Sequence, residues 1–212
     1  MTTTCNSSRT NRLLQRVRSQ DGVALDELFA LHRERLRKMV RLRLDRRLRG
    51  QFTSSVVLQQ VYTDATRRIG EYLADPEQPV FLWLRRVTGE RIQTLHRQHL
   101  GSHFDAGAEL SLYRGALPEV NSVSLAAQLI GDKPANKAVV RADLLIRLQE
   151  ALNGLDGYDR EVLAMCHFEE MRDEEVAAVL AIDKMTATLR YVRALKRLKE
   201  ILKSIPGFFD HR

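Results

Sequence analysis

The residues of this sequence that could do chemistry are mostly cationic, and they lie in two blocks. Residues 1–100 hold 19 Lys and Arg against 10 Asp and Glu, a net charge of +9, and residues 184–212 hold 8 against 2, a net charge of +6. Residues 101–140 are close to neutral at −1, whereas residues 141–183 carry −7. Two separated basic blocks favour two contacts with a polyanion, although charged faces that are merely solvated remain the alternative interpretation.

Residue types used for catalysis or metal binding are not grouped in the sequence. Cys5 and Cys166 lie 161 positions apart and lack the paired spacing of a zinc site or a disulfide framework. His96, His99 and His103 have no acidic or thiol ligand converging on them in sequence. There is no Gly-rich phosphate loop, no Ser/His/Asp order typical of a nucleophile triad and no carboxylate pair in a predicted cleft. We therefore expect no cofactor, no metal site and no enzymatic activity.

The composition is that of a soluble globular protein. The chain has 212 residues, 44% of them hydrophobic and 29% charged, with a net charge of +7. Its longest apolar run, Val176–Ile182, is seven residues, far short of the roughly 20 that a membrane helix needs. Residues 1–12 are polar and lack the apolar segment of a secretory signal. We expect a cytoplasmic location and no membrane partner.

The elements that must position these cations are helices, because apolar residues recur at steps of three and four and no stretch alternates with period two. The predicted fold is all-α, with two helical domains at residues 10–100 and 138–205 and a linker at 101–137 that holds a short helix near 124–130. The predicted helices cover residues 25–40, 54–72, 80–99, 144–152, 158–168, 173–180 and 184–203.

The last two predicted helices form a helix-turn-helix pattern. An eight-residue helix, a three-residue turn at 181–183 and a long basic helix follow one another. A recognition helix needs positive charge for phosphates and side chains that reach base edges in the major groove. The alternative is an amphipathic bundle helix with a solvated basic face.

Several motifs resemble the extracytoplasmic-function (ECF) branch of the bacterial sigma-70 family. Within Asp159–Leu202, the segments Arg160–Leu163, His167–Glu169, Val176–Ile182 and Arg193–Leu198 are similar to sigma region 4. The segments similar to region 2 are Val57–Tyr62, Phe81–Arg86, Glu90–Arg91, Leu95–Arg97 and His99–Gly101. The two blocks stand in the family's order and cover about 150 residues.

The resemblance implies a sigma factor rather than an enzyme. Its partners would be the β′ clamp helices and β flap of core RNA polymerase, promoter DNA and an anti-sigma factor. The residues expected to face the −35 element are Lys184, Thr186, Thr188, Arg190, Tyr191, Arg193 and Arg197. Those expected at the melted −10 element, with a base pocket in the loop 70–80, are Tyr72, Trp83, Arg85, Arg86, Arg91, His96, Arg97 and His99. Those expected to bind core polymerase are Val57, Gln59, Gln60 and Tyr62.

The sequence also departs from the family pattern. Acids usual in the core-docking helix are replaced by Thr53, Val56 and Gln60, which predicts weaker core binding or a different partner. Ala181 stands where the turn usually has Gly, at a cost of about 1 kcal/mol if its φ is positive. Asp173 is the expected N-cap of the helix that follows Arg172.

Two apolar residues, Met185 and Leu189, stand where small or polar residues are common in the family. They favour apolar contact with thymine methyls or with a protein. Three functional hypotheses are therefore compatible with the sequence. They are a working sigma factor, a sigma-derived binding module that no longer initiates transcription, and a two-domain DNA-binding repressor without polymerase contact.

Overall fold

The computed structural model describes residues 2–101, Leu125 and residues 138–204, and every regular element in these ranges is a helix. The all-α prediction is confirmed there. The predicted linker, apart from Gly101 and Leu125, lies outside the described residues. No helix in the described ranges has the length and apolarity needed to cross a membrane.

Eight α-helices follow one another in the described residues. They are α1 (Thr2–Arg18), α2 (Gly22–Arg43), α3 (Ser54–Ala74), α4 (Val80–Leu100), α5 (Ala138–Gly154), α6 (Gly157–Leu163), α7 (Asp173–Leu180) and α8 (Lys184–Ser204). A 3₁₀ turn at Arg46–Leu48 follows α2, and a π-helical turn at Ala164–Phe168 continues α6. The predicted 158–168 helix is therefore an α-helix that changes its hydrogen-bonding pattern midway.

Local signals explain where α3 and α4 begin and end. Thr53 is the N-cap of α3, and its hydroxyl accepts a hydrogen bond from the Val56 N–H at 3.3 Å. The helix ends before Asp75 and Pro76, and α4 starts directly after Pro79, whose missing N–H costs nothing at a helix N-terminus.

Helix α1 is an element that the sequence analysis did not predict. Its sequence is rich in Thr, Ser, Asn and Arg, so no apolar stripe marks it. Leu13 is buried, and Arg16 near its C-terminus pairs with Asp21 at 2.8 Å and with Glu27 at 3.1 Å. Contacts with the start of α2 therefore define the end of α1 more than its own composition does.

The chain divides into two compact units. Unit 1 comprises Met1–Val40 and Arg47–Ala106, and unit 2 comprises Arg41–Arg46 and Gly107–Arg212. Unit 2 is thus discontinuous in sequence, because six residues at the end of α2 and just after it belong to it. The predicted break near residue 100 does not anticipate this.

The core of unit 1 is built from α2, α3 and α4. Helix α3 packs on α4 and buries Val57, Leu58, Val61 and Ala65 along one stripe. Almost the whole first half of α4 is buried as well. Helix α4 is therefore central to this unit, and few of its side chains are left on the surface.

In unit 2, α8 contacts each of α5, α6 and α7. Its buried residues Ala194, Leu198 and Leu202 join one hydrophobic core with residues of α5 and α6. Leu42, from the six-residue segment near α2, and Leu125 are part of the same core. One face of α8 is thus fixed inside the unit, which leaves the opposite face to solvent.

Candidate nucleic-acid interface

The helix-turn-helix of unit 2 is α7, a three-residue turn and α8. Arg172 is the N-cap of α7, and the Glu175 carboxylate accepts a hydrogen bond from the Arg172 N–H at 2.9 Å. The expectation that Asp173 caps this helix is wrong, because its carboxylate instead accepts a hydrogen bond from the Thr188 hydroxyl at 2.8 Å. That bond ties the start of α7 to the first turns of α8.

The turn between the two helices has the backbone conformation anticipated for a glycine. Ala181 has φ 52° and ψ 44°, the left-handed conformation that costs an L-residue about 1–2 kcal/mol. Asp183 then caps α8, because its carboxylate accepts hydrogen bonds from the N–H and the hydroxyl of Thr186. These bonds lower the pKa of Asp183, with the Thr186 hydroxyl as the largest cause.

Several of the residues predicted to face the −35 element have partners inside unit 2. Thr186 and Thr188 bond to Asp183 and Asp173, as described above. The Tyr191 hydroxyl lies 2.8 Å from His167 Nε2, and its ring packs against the hydrophobic core. The hydroxyls of these three α8 residues thus make their contacts within unit 2 and stabilise it.

The predicted cations of α8 differ in whether their side chains are paired within unit 2. Arg197 donates to both Asp156 and Asp159 at 2.6 Å, and Lys184 pairs with Glu174. Arg190 lies over the Tyr158 ring at 5.5 Å. Arg193 is exposed and makes no hydrogen bond or ion pair with the described residues. Arg193 is therefore the predicted cation of α8 that is best placed to contact a ligand.

Other exposed residues of α8 lie outside the set predicted to face the −35 element. Lys196, Lys199 and Lys203 extend the basic face toward the C-terminus of α8. Three apolar side chains are also exposed near its N-terminus: Met185, Leu189 and Val192. Met185 and Leu189 were predicted from the sequence to favour apolar contact with thymine methyls or with a protein, and the structure shows both side chains exposed.

In unit 1, the aromatic residues predicted at the −10 element are buried. The rings of Tyr72 and Trp83 stack with their centroids 4.9 Å apart, and Trp83 is 2% exposed. The Tyr72 hydroxyl donates to the Gln78 carbonyl at 2.9 Å, which fastens the loop between α3 and α4. Burial raises the pKa of Tyr72, while the nearby Arg18 charge opposes this shift.

The predicted basic residues of α4 fall into two groups. Arg85 and His96 are buried within unit 1, and Arg91 donates to Asp64 of α3 at 2.7 Å. The exposed ones are Arg86, Arg97 and His99. The imidazole of His99 lies 4.9 Å from the Phe52 ring. A single DNA strand could therefore reach these three residues without any change in the packing of unit 1.

Of the loop 70–80 predicted to hold a base pocket, only residues 75–79 are outside the helices, and an open cavity of about 490 Å³ lies beside them. The loop side is formed by Tyr72 and residues 76–79, and the other side by α1. The α1 residues lining it are Asn11, Leu14, Gln15 and Arg18. Amide groups and a guanidinium of α1 thus line one side of the cavity, and the Tyr72 ring of α3 and the Glu77 carboxylate of the loop line the other. The contribution of α1 was missed, because α1 itself was not predicted.

The residues predicted to bind core polymerase lie on α3. Val57 is buried and Gln59 is exposed, while Gln60 is half-buried. Tyr62 hydrogen-bonds Asp26 of α2, and this bond raises the pKa of the Tyr62 phenol. Val56, one of the positions that lacks the family's acid, is 40% exposed. The surface of α3 is thus neutral where the family pattern has carboxylates.

Comparisons with known proteins agree with this architecture. A protein-family model described as Sigma-70, region 4, matches residues 145–198, a range that includes the whole of α6 and α7. The RNA polymerase sigma factor CnrH of Cupriavidus metallidurans is 28% identical over 147 residues, which cover 69% of this chain and 71% of CnrH.

Two solved structures are also similar. The structure of CnrH in complex with the cytosolic domain of CnrY has a TM-score of 0.55 at 20% identity and covers 92% of this chain and 98% of CnrH. The sigma factor RpoE, in a co-crystal with the anti-sigma factor NepR from Bartonella quintana, has a TM-score of 0.48 at 18% identity, with 84% and 96% covered. The helix-turn-helix of unit 2 therefore lies within a stretch that matches sigma-70 region 4, and most of the chain is similar to the RNA polymerase sigma factor CnrH, as expected of a sigma-70 family member of the ECF type.

Proposed function

We propose that this chain is a working sigma factor, which binds core RNA polymerase and directs promoter recognition, melting and initiation. Unit 2 would bind the −35 element as duplex and unit 1 the melted −10 element. The observation that carries the proposal is the exposed cationic row Arg193, Lys196 and Lys199 on α8. Residues 141–183 of the same unit hold 11 acidic and 4 basic residues, so a polyanion is attracted to α8 and repelled by its surroundings.

The −35 contact would use α8 in the major groove. Arg193 and the following lysines would neutralise phosphates, which supplies affinity for any sequence. Lys184 and Arg197, both on the surface but paired with acids, would exchange those partners for phosphate. The Lys184 pair with Glu174 is exposed and weak, so its exchange costs little, whereas the exchange of Arg197 costs more because its partner Asp159 is buried.

The −10 contact would use the cavity between α1 and the loop after Tyr72. A flipped base needs an enclosed space and hydrogen-bonding groups for its Watson–Crick edge. Asn11 and Gln15 offer both donors and acceptors, and Arg18 offers a cation for the backbone. Arg86, Arg97 and His99 would then track the single strand along the exposed side of α4.

The protein partners are proposed on the same basis. The exposed part of α3 around Gln59 would dock on the β′ clamp helices, and unit 2 would contact the β flap. The likeness to CnrH, whose structure holds the cytosolic domain of CnrY, supports an anti-sigma partner for this chain as well.

The test is co-purification of the full chain with bacterial core RNA polymerase, followed by run-off transcription on a genomic promoter pool. We expect a stable complex and discrete transcripts that share upstream elements. Absence of a complex at micromolar concentration would overturn the proposal. An Arg193→Ala variant should lower transcription from every promoter alike, since a phosphate contact carries no sequence information.

The role of the cavity has a separate test in the same assay. We expect Gln15→Ala to slow open-complex formation about fivefold, the equivalent of one lost hydrogen bond. Gln51→Ala, an exposed glutamine outside the cavity, is the matched control and should have no effect. Equal rates for the two variants would remove α1 from the proposed base pocket.

A second candidate function is a sigma-derived module that no longer initiates transcription. It is favoured by the neutral α3 surface at Thr53, Val56 and Gln60. Several charges at an interface set both affinity and association rate, so their absence weakens docking. If the chain fails to bind core polymerase and the triple variant Thr53→Asp, Val56→Asp, Gln60→Glu binds it, this second function is the correct one. Aspartate at position 53 also keeps the N-cap of α3.

A further inference from the structure

The N-terminal half of α8 exposes an apolar stripe where a recognition helix needs groups that read bases. Met185, Leu189 and Val192 are 74%, 62% and 56% exposed. Their spacing of four and three residues keeps them within an arc of about 60° at 100° per residue. Exposed apolar side chains that cluster on one face, rather than singly, mark an interaction surface.

The hydroxyl-bearing residues of the same half do not compete with this stripe. The hydroxyls of Thr186 and Thr188 bond to Asp183 and Asp173, and that of Tyr191 lies against His167. The face of α8 that carries this stripe is therefore apolar near the N-terminus of the helix, with Arg193 beside it.

Given the proposed function, we propose that Met185, Leu189 and Val192 are the specificity-determining residues of α8 and read thymine C5-methyl groups in the major groove. The major groove displays that methyl group only at T, so an apolar side chain in contact with it discriminates T from C. Met185 to Val192 spans about 10 Å of helix, comparable with three base-pair steps of about 3.4 Å. The stripe can therefore meet thymines at up to three neighbouring base pairs.

Charge selects DNA over a protein as the occupant. Continued along α8, the same face carries Lys196, Lys199 and Lys203, all exposed. A surface that is apolar at one end and cationic at the other matches a groove whose floor offers methyl groups and whose rims are phosphates. A protein partner would need an apolar patch joined to a row of acids in the same register.

The experiment removes single methyl groups from the DNA. The −35 site recovered from the promoter pool is prepared with each thymine replaced in turn by uracil, which differs only in the missing methyl. Equilibrium binding of the full chain in complex with core polymerase is then measured at one fixed salt concentration. We expect uracil to weaken binding about fourfold at one to three neighbouring positions, the effect of one buried methyl group.

Alanine variants of the protein are then combined with the thymine-to-uracil changes in the DNA. Leu189→Ala should bring the thymine-to-uracil affinity ratio at its position close to one, with Met185→Ala and Val192→Ala acting at adjacent positions. Lys199→Ala is the matched control on the same helix, and it should weaken both probes equally and leave the ratio unchanged. Because all these side chains are exposed, the variants are expected to fold normally.

The outcomes separate this inference from the proposed function. A wild-type ratio of one at every thymine, or a ratio that none of the three apolar variants changes, overturns the methyl contact while discrete promoter binding still stands. A thymine-to-uracil ratio that none of the apolar variants changes would be expected if the stripe instead bound a protein. Absence of any promoter binding overturns both proposals.

Discussion

At the scale of single residues, Arg43 has the most demanding environment in unit 2. Its side chain is buried, its Nε donates to Glu169 at 2.5 Å, and Nη2 donates to Glu161. Burial lowers the pKa of the guanidinium, but the charges of Glu161 and Glu169 outweigh this and raise it above its ordinary value. A buried cation held by two carboxylates is destabilising to break, because each partner left behind is an uncompensated charge.

We expect Arg43→Ala to lower the unfolding free energy of unit 2 by about 3–5 kcal/mol. Lys184→Ala, which removes an exposed pair with Glu174, should leave the unfolding free energy of unit 2 nearly unchanged and is the control. Hydrogen exchange of the α8 backbone amides measures this, since the single tryptophan, Trp83, lies in unit 1. Equal protection in the two variants would contradict the importance of the buried ion pairs.

His167 makes the stability of unit 2 depend on pH. Burial lowers the pKa of its imidazole below the ordinary value of about 6.5, so the folded site stays neutral where the unfolded chain takes up a proton. Acidification through pH 6.5 therefore favours the unfolded state, and the loss of stability levels off below the folded pKa.

We expect His167→Gln to flatten this part of the pH dependence while its amide remains able to bond the Tyr191 hydroxyl. Denaturant unfolding of both proteins between pH 7.5 and 5 compares the two slopes. The wild type should lose more stability than the variant across this range, and parallel curves would show that His167 does not titrate on unfolding.

At the scale of elements, the turn before α8 holds an alanine in a strained backbone conformation that a glycine would relieve. Ala181 adopts φ 52° at the C-terminus of α7, where glycine is the usual residue because it has no Cβ to clash. We expect Ala181→Gly to stabilise unit 2 by about 1 kcal/mol. Ala178→Gly, an exposed position inside α7, should destabilise it by about as much.

Thermal unfolding of the two glycine variants makes the comparison direct, because each replaces an alanine in or beside one short helix. Opposite signs are the expected result. A loss of stability in both would mean that the turn relaxes at little cost with alanine present.

At the scale of the whole molecule, unit 2 is not one continuous stretch of sequence. A fragment of residues 107–212 lacks Arg41–Arg46 and so lacks Arg43, while Glu169, 1% exposed in the full chain, keeps its carboxylate. In the fragment this buried carboxylate loses its pair with Arg43, and that loss costs less for the neutral amide of glutamine than for a charged group.

We therefore expect Glu169→Gln to have opposite effects in two contexts. It should destabilise unit 2 in the full chain, where Arg43 loses a charged partner, and stabilise the 107–212 fragment. Hydrogen exchange of α8 measures both, with the exposed Glu200→Gln as a neutral control. The same sign in both contexts would show that Arg43 does not decide the state of Glu169.

Most helices in the described part of the chain could be predicted because their signals are local. The bounds of α7 were predicted to the residue, and α8 begins where its cap Asp183 and the preceding turn indicate. The positive φ of Ala181 is the conformation of the glycine that the resembling family usually has at this turn. Helix α1 was missed because its stability depends on contacts such as Arg16 with Asp21 and Glu27, and no apolar period records them.

By itself, the sequence determined the helical class, the helix-turn-helix and the charge of its two basic blocks, since composition and periodicity act within a few residues. The tertiary structure alone decided which side chains of α8 are free, because Arg197 is held by acids 38 and 41 positions earlier. It likewise assigned Arg43 to partners 118 and 126 positions away. Such pairings depend on how the chain folds back in space, and no local pattern in the sequence encodes them.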